Sequence, residues 1–193
     1  MSEFNEETTP LERALVKGNK SQLECFLKAG VDPNLRDRKE NSLLYNAVKN
    51  RQYEIVLLLL SYKANLSFIN SNGDTVLHLA TRQSDIEMCK ILLQNGASLT
   101  CKNVRNQTPI TIALKENIEE VLLFFFSWSP ELFELKDSNG KSVFDLTEST
   151  KLKKKFEQSK RWNTRKAIIY ARKYSAVVNT LSEGLFKSLV SYL

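Results

Sequence analysis

The stretch NGDTVLHLATRQSDIEMCKILLQNGASL, residues 72–99, decides the fold because it carries the start and end signals of two short helices. Thr75 can begin the first helix by accepting a hydrogen bond from a backbone N–H group. Gly96 suits the left-handed conformation that often ends a helix. The apolar stripe of the second helix consists of Ile86, Ile91, Leu92 and Leu93. The stretch therefore predicts a turn, a helix, a second helix and a closing loop.

The same pattern occurs four times at a fixed interval. Its openings are TPLERA (9–14), SLLYNA (42–47), TVLHLA (75–80) and TPITIA (108–113), and their first residues are equally spaced along the chain. The loop segments GVDPN (30–34), KANLS (63–67) and GASLT (96–100) keep the same step. A fifth opening, SVFDLT (142–147), begins one position later than this step predicts. Landmarks that stay in register across four copies indicate an internal repeat.

This pattern resembles the ankyrin repeat over about residues 9–148. The resemblance implies a β-turn and two antiparallel helices in each repeat, stacked into an all-α solenoid. We therefore expect an ankyrin-repeat domain of four repeats and a partial fifth in residues 1–150. Glu40 replaces the usual turn glycine and Lys63 the usual loop glycine of the second copy. The second hairpin is expected to be tighter or less regular than the others for that reason.

The composition and charge narrow the class of protein. The 193 residues are 42% hydrophobic and 26% charged, which predicts a globular chain. Apolar runs are shorter than the roughly 20 residues that span a bilayer, and the acidic N-terminus lacks the features of a signal peptide. Three cysteines without a CxxC pair fit a reducing compartment. We expect an intracellular protein that is not transmembrane, in the cytoplasm or alternatively in the nucleus.

Basic residues are concentrated near the C-terminus. Residues 1–150 carry 17 Lys and Arg against 20 Asp and Glu, whereas residues 151–193 carry 11 against 2. Apolar and basic residues beyond position 161 fall on opposite sides of a helix at 100° per residue, so a C-terminal amphipathic helical extension is expected at 151–193. Its basic face comprises Lys153, Lys154, Lys155, Arg161, Arg165, Lys166, Arg172 and Lys173.

Three interpretations of this extension remain open. It packs on the last repeat as a cap, it docks on an acidic surface of a partner, or it contacts an anionic membrane or nucleic acid. The third interpretation would be favoured if binding weakens steeply as salt is added and if this salt dependence is abolished by deletion of residues 151–193.

The sequence offers no pattern typical of an enzyme. His78 is the one histidine, and the family commonly carries a histidine at this position to tie helix to turn. A zinc site is not expected with one histidine and no CxxC pair, and the glycine-rich motifs that hold phosphates are absent. We expect no catalytic residue, no metal site and no cofactor.

The resemblance implies that another protein, rather than a small-molecule substrate, binds the concave surface formed by turn tips and first helices. The residues at these positions are Arg38, Lys39, Asn46, Lys49, Ser71, Asn72, Leu79, Arg82, Val104, Arg105, Ile112 and Lys115. Their cations predict a locally basic groove. The expected function is that of an adaptor, an inhibitor or an assembly subunit. The alternatives are association with an anionic surface through the extension, or a bacterial ankyrin effector acting in a host cell.

Overall fold

A computed structural model describes residues 9–129 together with Ser142, Lys153, Lys154, Glu157 and Gln158. Within this part there are eight helices: α1 (Pro10–Val16), α2 (Lys20–Lys28), α3 (Leu43–Lys49), α4 (Tyr53–Ser61), α5 (Val76–Arg82), α6 (Ile86–Gln94), α7 (Pro109–Lys115) and α8 (Glu119–Trp128). Corresponding helices begin at the same position of each repeat. The predicted all-α ankyrin-type repeat is confirmed, with four helix pairs in the described residues.

The first helix of each pair starts at the predicted cap. Thr9, Ser42 and Thr108 each accept a hydrogen bond from the backbone N–H three residues later, over 3.0–3.3 Å. At the third cap, the bond involves a histidine side chain: the Thr75 backbone N–H donates to His78 Nδ1 at 3.1 Å. These bonds satisfy N–H groups that have no partner inside the helix.

Three recurring backbone positions adopt the left-handed conformation, and all three are seen in the second and third repeats. They follow the first helix at Gly18, Arg51, Ser84 and Asn117, follow the second at Gly30, Lys63 and Gly96, and lie in the hairpin tip at Glu40, Gly73 and Asn106. Glu40 and Lys63 have φ angles of 61° and 64°, in the same region as the glycines of the other copies. The second hairpin is therefore not less regular than the others at these positions, and it carries an isolated antiparallel bridge between Arg36 and Ser42, which agrees with a tighter hairpin. Stacking imposes the repeat geometry even where a Cβ atom opposes it.

The core lies between successive helix pairs. Helix α3 packs against α1 and α5, and α5 packs against α7, so the first helices form a continuous inner layer. The closing alanines of the four openings, Ala14, Ala47, Ala80 and Ala113, are all 0% exposed. Their small side chains allow the close helix contacts that the sequence predicts.

The chain divides into two compact units, Met1–Phe124 and Phe125–Leu193, with the boundary inside α8. The predicted fifth repeat, the boundary at residue 150 and the extension at 151–193 lie almost entirely outside the described residues. Of the extension, Lys153, Lys154, Glu157 and Gln158 are helical. None of the helices in residues 9–129 is long and apolar enough to cross a membrane.

Substituting Lys63 by glycine is expected to stabilise the protein. The left-handed conformation costs a residue with a Cβ atom about 1–2 kcal/mol, and the greater entropy of glycine in the unfolded chain offsets about half of this. We expect a gain of about 0.5–1 kcal/mol in the free energy of unfolding, measured by urea denaturation.

The matched control is Gly96→Ala at the corresponding position of the third repeat. No atom lies within 4 Å of the Cβ that would be added there, so backbone strain is the main effect. This variant should be destabilised. A Lys63→Gly protein less stable than the parent would contradict the assignment of strain to this position.

Candidate functional site

Each hairpin tip is held by one side chain. Asp37, Asn70 and Asn103 occupy the same position in three successive repeats, and the Oδ1 atom of each accepts two backbone N–H bonds, from the residues two and four positions later. The six donor–acceptor distances lie between 2.8 and 3.0 Å. Such Asx bonds substitute for the backbone pairing that a tight turn lacks.

Neighbouring tips also contact one another. The Val104 N–H donates to the Asn72 carbonyl at 3.2 Å, which joins the third hairpin to the fourth. Gly73, with φ of 71°, lies directly beneath, and a Cβ atom there would come within 2.8 Å of the Val104 nitrogen. A glycine is required at this position both for its backbone conformation and for the close approach of the two tips.

A first cleft of about 520 Å³ lies between the second hairpin tip and the inner helices α1 and α3. It is lined by Glu12, Leu15, Val16, Asp37, Arg38, Lys39, Asn41, Asn46, Lys49 and Asn50. The Asp37 Oδ2 atom accepts hydrogen bonds from Asn46 Nδ2 at 2.9 Å and Asn41 Nδ2 at 3.3 Å. Burial alone would raise the pKa of Asp37, but these bonds and its turn bonds outweigh burial and hold the pKa below its ordinary value.

A second cleft of about 230 Å³ lies one hairpin further along, lined by Asn72, Asp74, Arg82, Asn103 and Arg105. Asp74 is 3% exposed and accepts hydrogen bonds from both terminal nitrogens of Arg82 and, at 2.8 Å, from Asn103 Nδ2. Burial opposes ionisation of Asp74, yet its bonds from Arg82 and Asn103 lower the pKa overall. The paired carboxylate thus joins the third repeat to the fourth.

His78 lies beneath this cleft and serves structure. Its side chain is 0% exposed. Nδ1 accepts from the Thr75 backbone N–H, and Nε2 donates to the Gln107 carbonyl of the next hairpin at 2.9 Å, which fixes a neutral tautomer. Burial, the largest influence, lowers the pKa of His78 below its ordinary value. Both ring nitrogens are occupied, so the imidazole is unavailable as a general base in this conformation.

The structure brings together seven of the twelve residues predicted for the concave surface. The first cleft contains Arg38, Lys39, Asn46 and Lys49, and the second contains Asn72, Arg82 and Arg105. Ser71, Val104 and Lys115 are exposed and Leu79 is half-buried, but none of these four lines either cleft.

Ile112 is an exception among these residues. Its side chain is 1% exposed, so the prediction that it lies on the binding surface is wrong. Asn46 and Leu79 occupy the corresponding place in α3 and α5 and remain half-buried. An apolar residue at this position in α7 belongs to the core, which the repeat period alone does not reveal.

Sequence reasoning missed the acidic and amide side chains that shape the clefts. Asp37, Asp74 and Asn103 line them, and two of the three are at the fixed tip position. Their signal in the sequence was the recurrence of Asp or Asn at 37, 70 and 103. The pairing of Asp74 with Arg82 and Asn103 depends on three-dimensional packing.

The remaining chemical candidates do not form a reactive site in the described part of the chain. No group of three or more His, Cys, Asp or Glu residues is placed there to hold a metal ion. Cys25, Cys89 and Cys101 are free thiols. Burial raises the pKa of Cys89 to about 12, which makes it a poor nucleophile. On the predicted basic face, Lys153 is half-buried and Lys154 exposed, and the other six residues lie outside the description.

Comparison with known proteins places this architecture in a family. The family model for ankyrin repeats (3 copies) matches residues 11–103 and 44–134, which together span more than half of the chain. Alpha-latrotoxin-Lg1a of Latrodectus geometricus is 27% identical over 136 residues, covering 68% of this chain and 10% of the toxin.

Two other relatives show similar identity over shorter lengths. The B-cell lymphoma 3 protein homolog of Mus musculus is 30% identical over 115 residues, covering 59% of this chain and 26% of that protein. NF-kappa-B inhibitor zeta of Homo sapiens is 28% identical over 113 residues, covering 53% of this chain and 16% of the inhibitor. The matched region thus spans about a tenth to a quarter of the length of these relatives.

Protonation of His78 is expected to weaken the fold. Its pKa is lowered in the folded state, so the unfolded chain binds more protons between the two pKa values and stability increases with pH there. The stabilisation is complete above the unfolded pKa of about 6.5 and is lost as pH falls through that value towards the folded pKa. NMR of the single imidazole should give a midpoint below about 6.5.

The control is His78→Gln, which cannot titrate. The difference between its free energies of unfolding at pH 7.5 and pH 5.5 should be smaller than that of the parent protein. A midpoint at or above the value for a free histidine would contradict the buried, neutral assignment.

Removal of the buried carboxylate at Asp74 is expected to destabilise the junction of the third and fourth repeats. Asp74→Ala leaves Asn103 Nδ2 and the Arg82 guanidinium without their shared acceptor, at a cost of about 2–3 kcal/mol. Glu54→Ala is the matched control, because Glu54 forms an exposed ion pair with Lys20 at 2.7 Å and should matter little. Equal loss in both variants by urea denaturation would refute the role of the buried network.

Proposed function

The chain belongs to the ankyrin-repeat family, and on this basis we propose that it is a non-catalytic protein-binding module whose concave face captures a partner protein. The binding surface comprises the two clefts and the exposed tip residues between them. It acts as an adaptor, an inhibitor or a subunit of an assembly. Ile112 is not part of this surface, because its side chain is buried.

The observation that carries this proposal is the pair of adjacent clefts between hairpin tips that are already fixed. Asp37, Asn70 and Asn103 hold the tips through side-chain bonds to the backbone, without help from a partner. A surface fixed before binding loses little conformational entropy when a partner arrives, which leaves more of the contact energy as affinity.

Two further observations support a non-catalytic role. His78 uses both ring nitrogens in structural hydrogen bonds, and the Cys89 thiol is buried with a raised pKa. One relative carries the name of an inhibitor, which favours inhibition or regulation over catalysis. The three free thiols, Cys25, Cys89 and Cys101, favour an intracellular location, in the cytoplasm or the nucleus.

Site-specific photo-crosslinking tests which face binds the partner. The full chain would carry benzoylphenylalanine at Ser71 or Asn72, on the third hairpin tip, in cells that express the protein. The controls carry it at Glu87 or Gln94, which are exposed on helix α6. We expect one or a few proteins, identified by mass spectrometry, to be crosslinked from the tip positions and not from α6. Crosslinks from α6 alone would contradict the proposal.

A further inference from the structure

The carboxylates that line the two clefts are already engaged within the chain. Asp37 accepts four hydrogen bonds, and Asp74 is bonded to Arg82 and Asn103. Glu12 Oε2 accepts from the Thr9 backbone N–H at 2.8 Å and from its hydroxyl at 3.1 Å. Their acceptor capacity is largely consumed by the fold itself.

Most of the cations at the same clefts are not engaged. Lys39 and Lys49 line the first cleft and Arg105 the second, and in residues 9–129 none of these three side chains forms an ion pair or a hydrogen bond. Lys115 is also exposed and unpaired within this part of the chain. We define the basic strip as Lys39, Lys49, Arg105 and Lys115. The side-chain N–H groups of the strip donate to no acceptor within the described residues. The carboxylates of Glu12, Asp37 and Asp74, in contrast, accept hydrogen bonds from within the chain.

Two members of the strip, Lys49 and Lys115, lie two repeats apart along the inner layer. Lys49 and Lys115 occupy the last residue of α3 and α7, and Arg82 occupies the same place in α5 between them. Arg82 is neutralised by Asp74 and lies 3.7 Å from Glu116. Adjacent helices pack with axes about 8–10 Å apart, and an extended chain advances about 3.3 Å per residue. An extended ligand would therefore pass one inner helix with every third residue.

We propose that the basic strip binds an extended acidic segment of the partner protein, with carboxylates roughly six residues apart facing Lys49 and Lys115. A further carboxylate would face Arg105, at the hairpin tip of the same repeat as Lys115. This inference rests on the proposed function and adds the chemical class of its partner. Charge complementarity carries it, because each cleft is lined by one more cation than anion and the cations of the strip have no acceptor within residues 9–129. Arg82, between Lys49 and Lys115, is already paired with Asp74.

The lining of the clefts favours an acidic peptide over single-stranded nucleic acid. Proteins that bind single strands combine cations with aromatic side chains on which the bases stack. Neither cleft is lined by an aromatic residue. The strip can therefore neutralise anionic groups but supplies no stacking platform at the clefts.

Fluorescence anisotropy with the full chain tests the inference. The probe is a fluorescein-labelled peptide of about 15 residues, with glutamate at every third position and serine or threonine between. The strip variant is Lys49→Gln, Arg105→Gln and Lys115→Gln combined. We expect about tenfold weaker binding than the parent, since each exposed ion pair contributes modestly, and weaker binding at about 300 mM salt than at about 50 mM.

The matched control combines Lys20→Gln, Lys28→Gln and Lys90→Gln, which removes the same charge from the second helices α2 and α6. It should bind the peptide within about twofold of the parent. Circular dichroism and thermal unfolding establish that both variants are folded. A second peptide with the same composition but contiguous glutamates should bind more weakly than the spaced peptide.

Three results would overturn the inference: no binding of the spaced peptide to the parent, equal loss in the strip and control variants, or tighter binding of labelled oligodeoxythymidylate through the same cations. The last result would assign the strip to nucleic acid. Partner crosslinks from Ser71 or Asn72 together with any of these three would leave the proposed protein-binding function intact. Absence of such crosslinks would remove that function itself.

Discussion

The stacking of one helix pair on the next is the constraint on which the rest of the structure depends. Helices of 7 to 10 residues are too short to be stable alone, so each repeat needs a neighbour to cover its apolar face. Close stacking requires a small residue at each inner contact, which explains why Ala14, Ala47, Ala80 and Ala113 are all fully buried. It also requires the same turns in every repeat, and it imposes the left-handed conformation on Lys63 where glycine would be less strained.

The proposed binding surface is a consequence of this stacking. Repeats held in register bring successive hairpin tips beside one another, and the side chains of Asp37, Asn70 and Asn103 then fix each tip. The clefts between tips and inner helices exist before any partner binds. The acids within them serve the fold, as Asp74 does by holding Arg82, whereas Lys39, Lys49 and Arg105 form no ion pair within residues 9–129. In the proposal, structure and recognition thus use different charges of the same surface.

The sequence predicts much of this fold because its signals are local and repeated. Caps such as Thr75 and the buried alanines could be located from spacing alone. The conformation of Glu40 could not, since its own preference opposes the turn and only packing of the whole repeat decides it. Ile112 was misplaced for a similar reason, because equivalent positions in a repeat need not have equal burial. Seven of the twelve candidate surface residues line a cleft, but the bond between Asp74 and Asn103 joins two different repeats and requires the three-dimensional structure.

Amide hydrogen exchange of the free protein tests most directly whether the binding face is fixed before a partner arrives. The relevant amides are those of residues 39 and 41, 72 and 74, and 105 and 107, which donate to the side chains that hold the tips. We expect each to exchange at least about a hundredfold more slowly than in an unstructured peptide, because opening a tip breaks two bonds to one side chain. Exchange at the unstructured rate would show that the tips form only on binding and would contradict a preorganised surface.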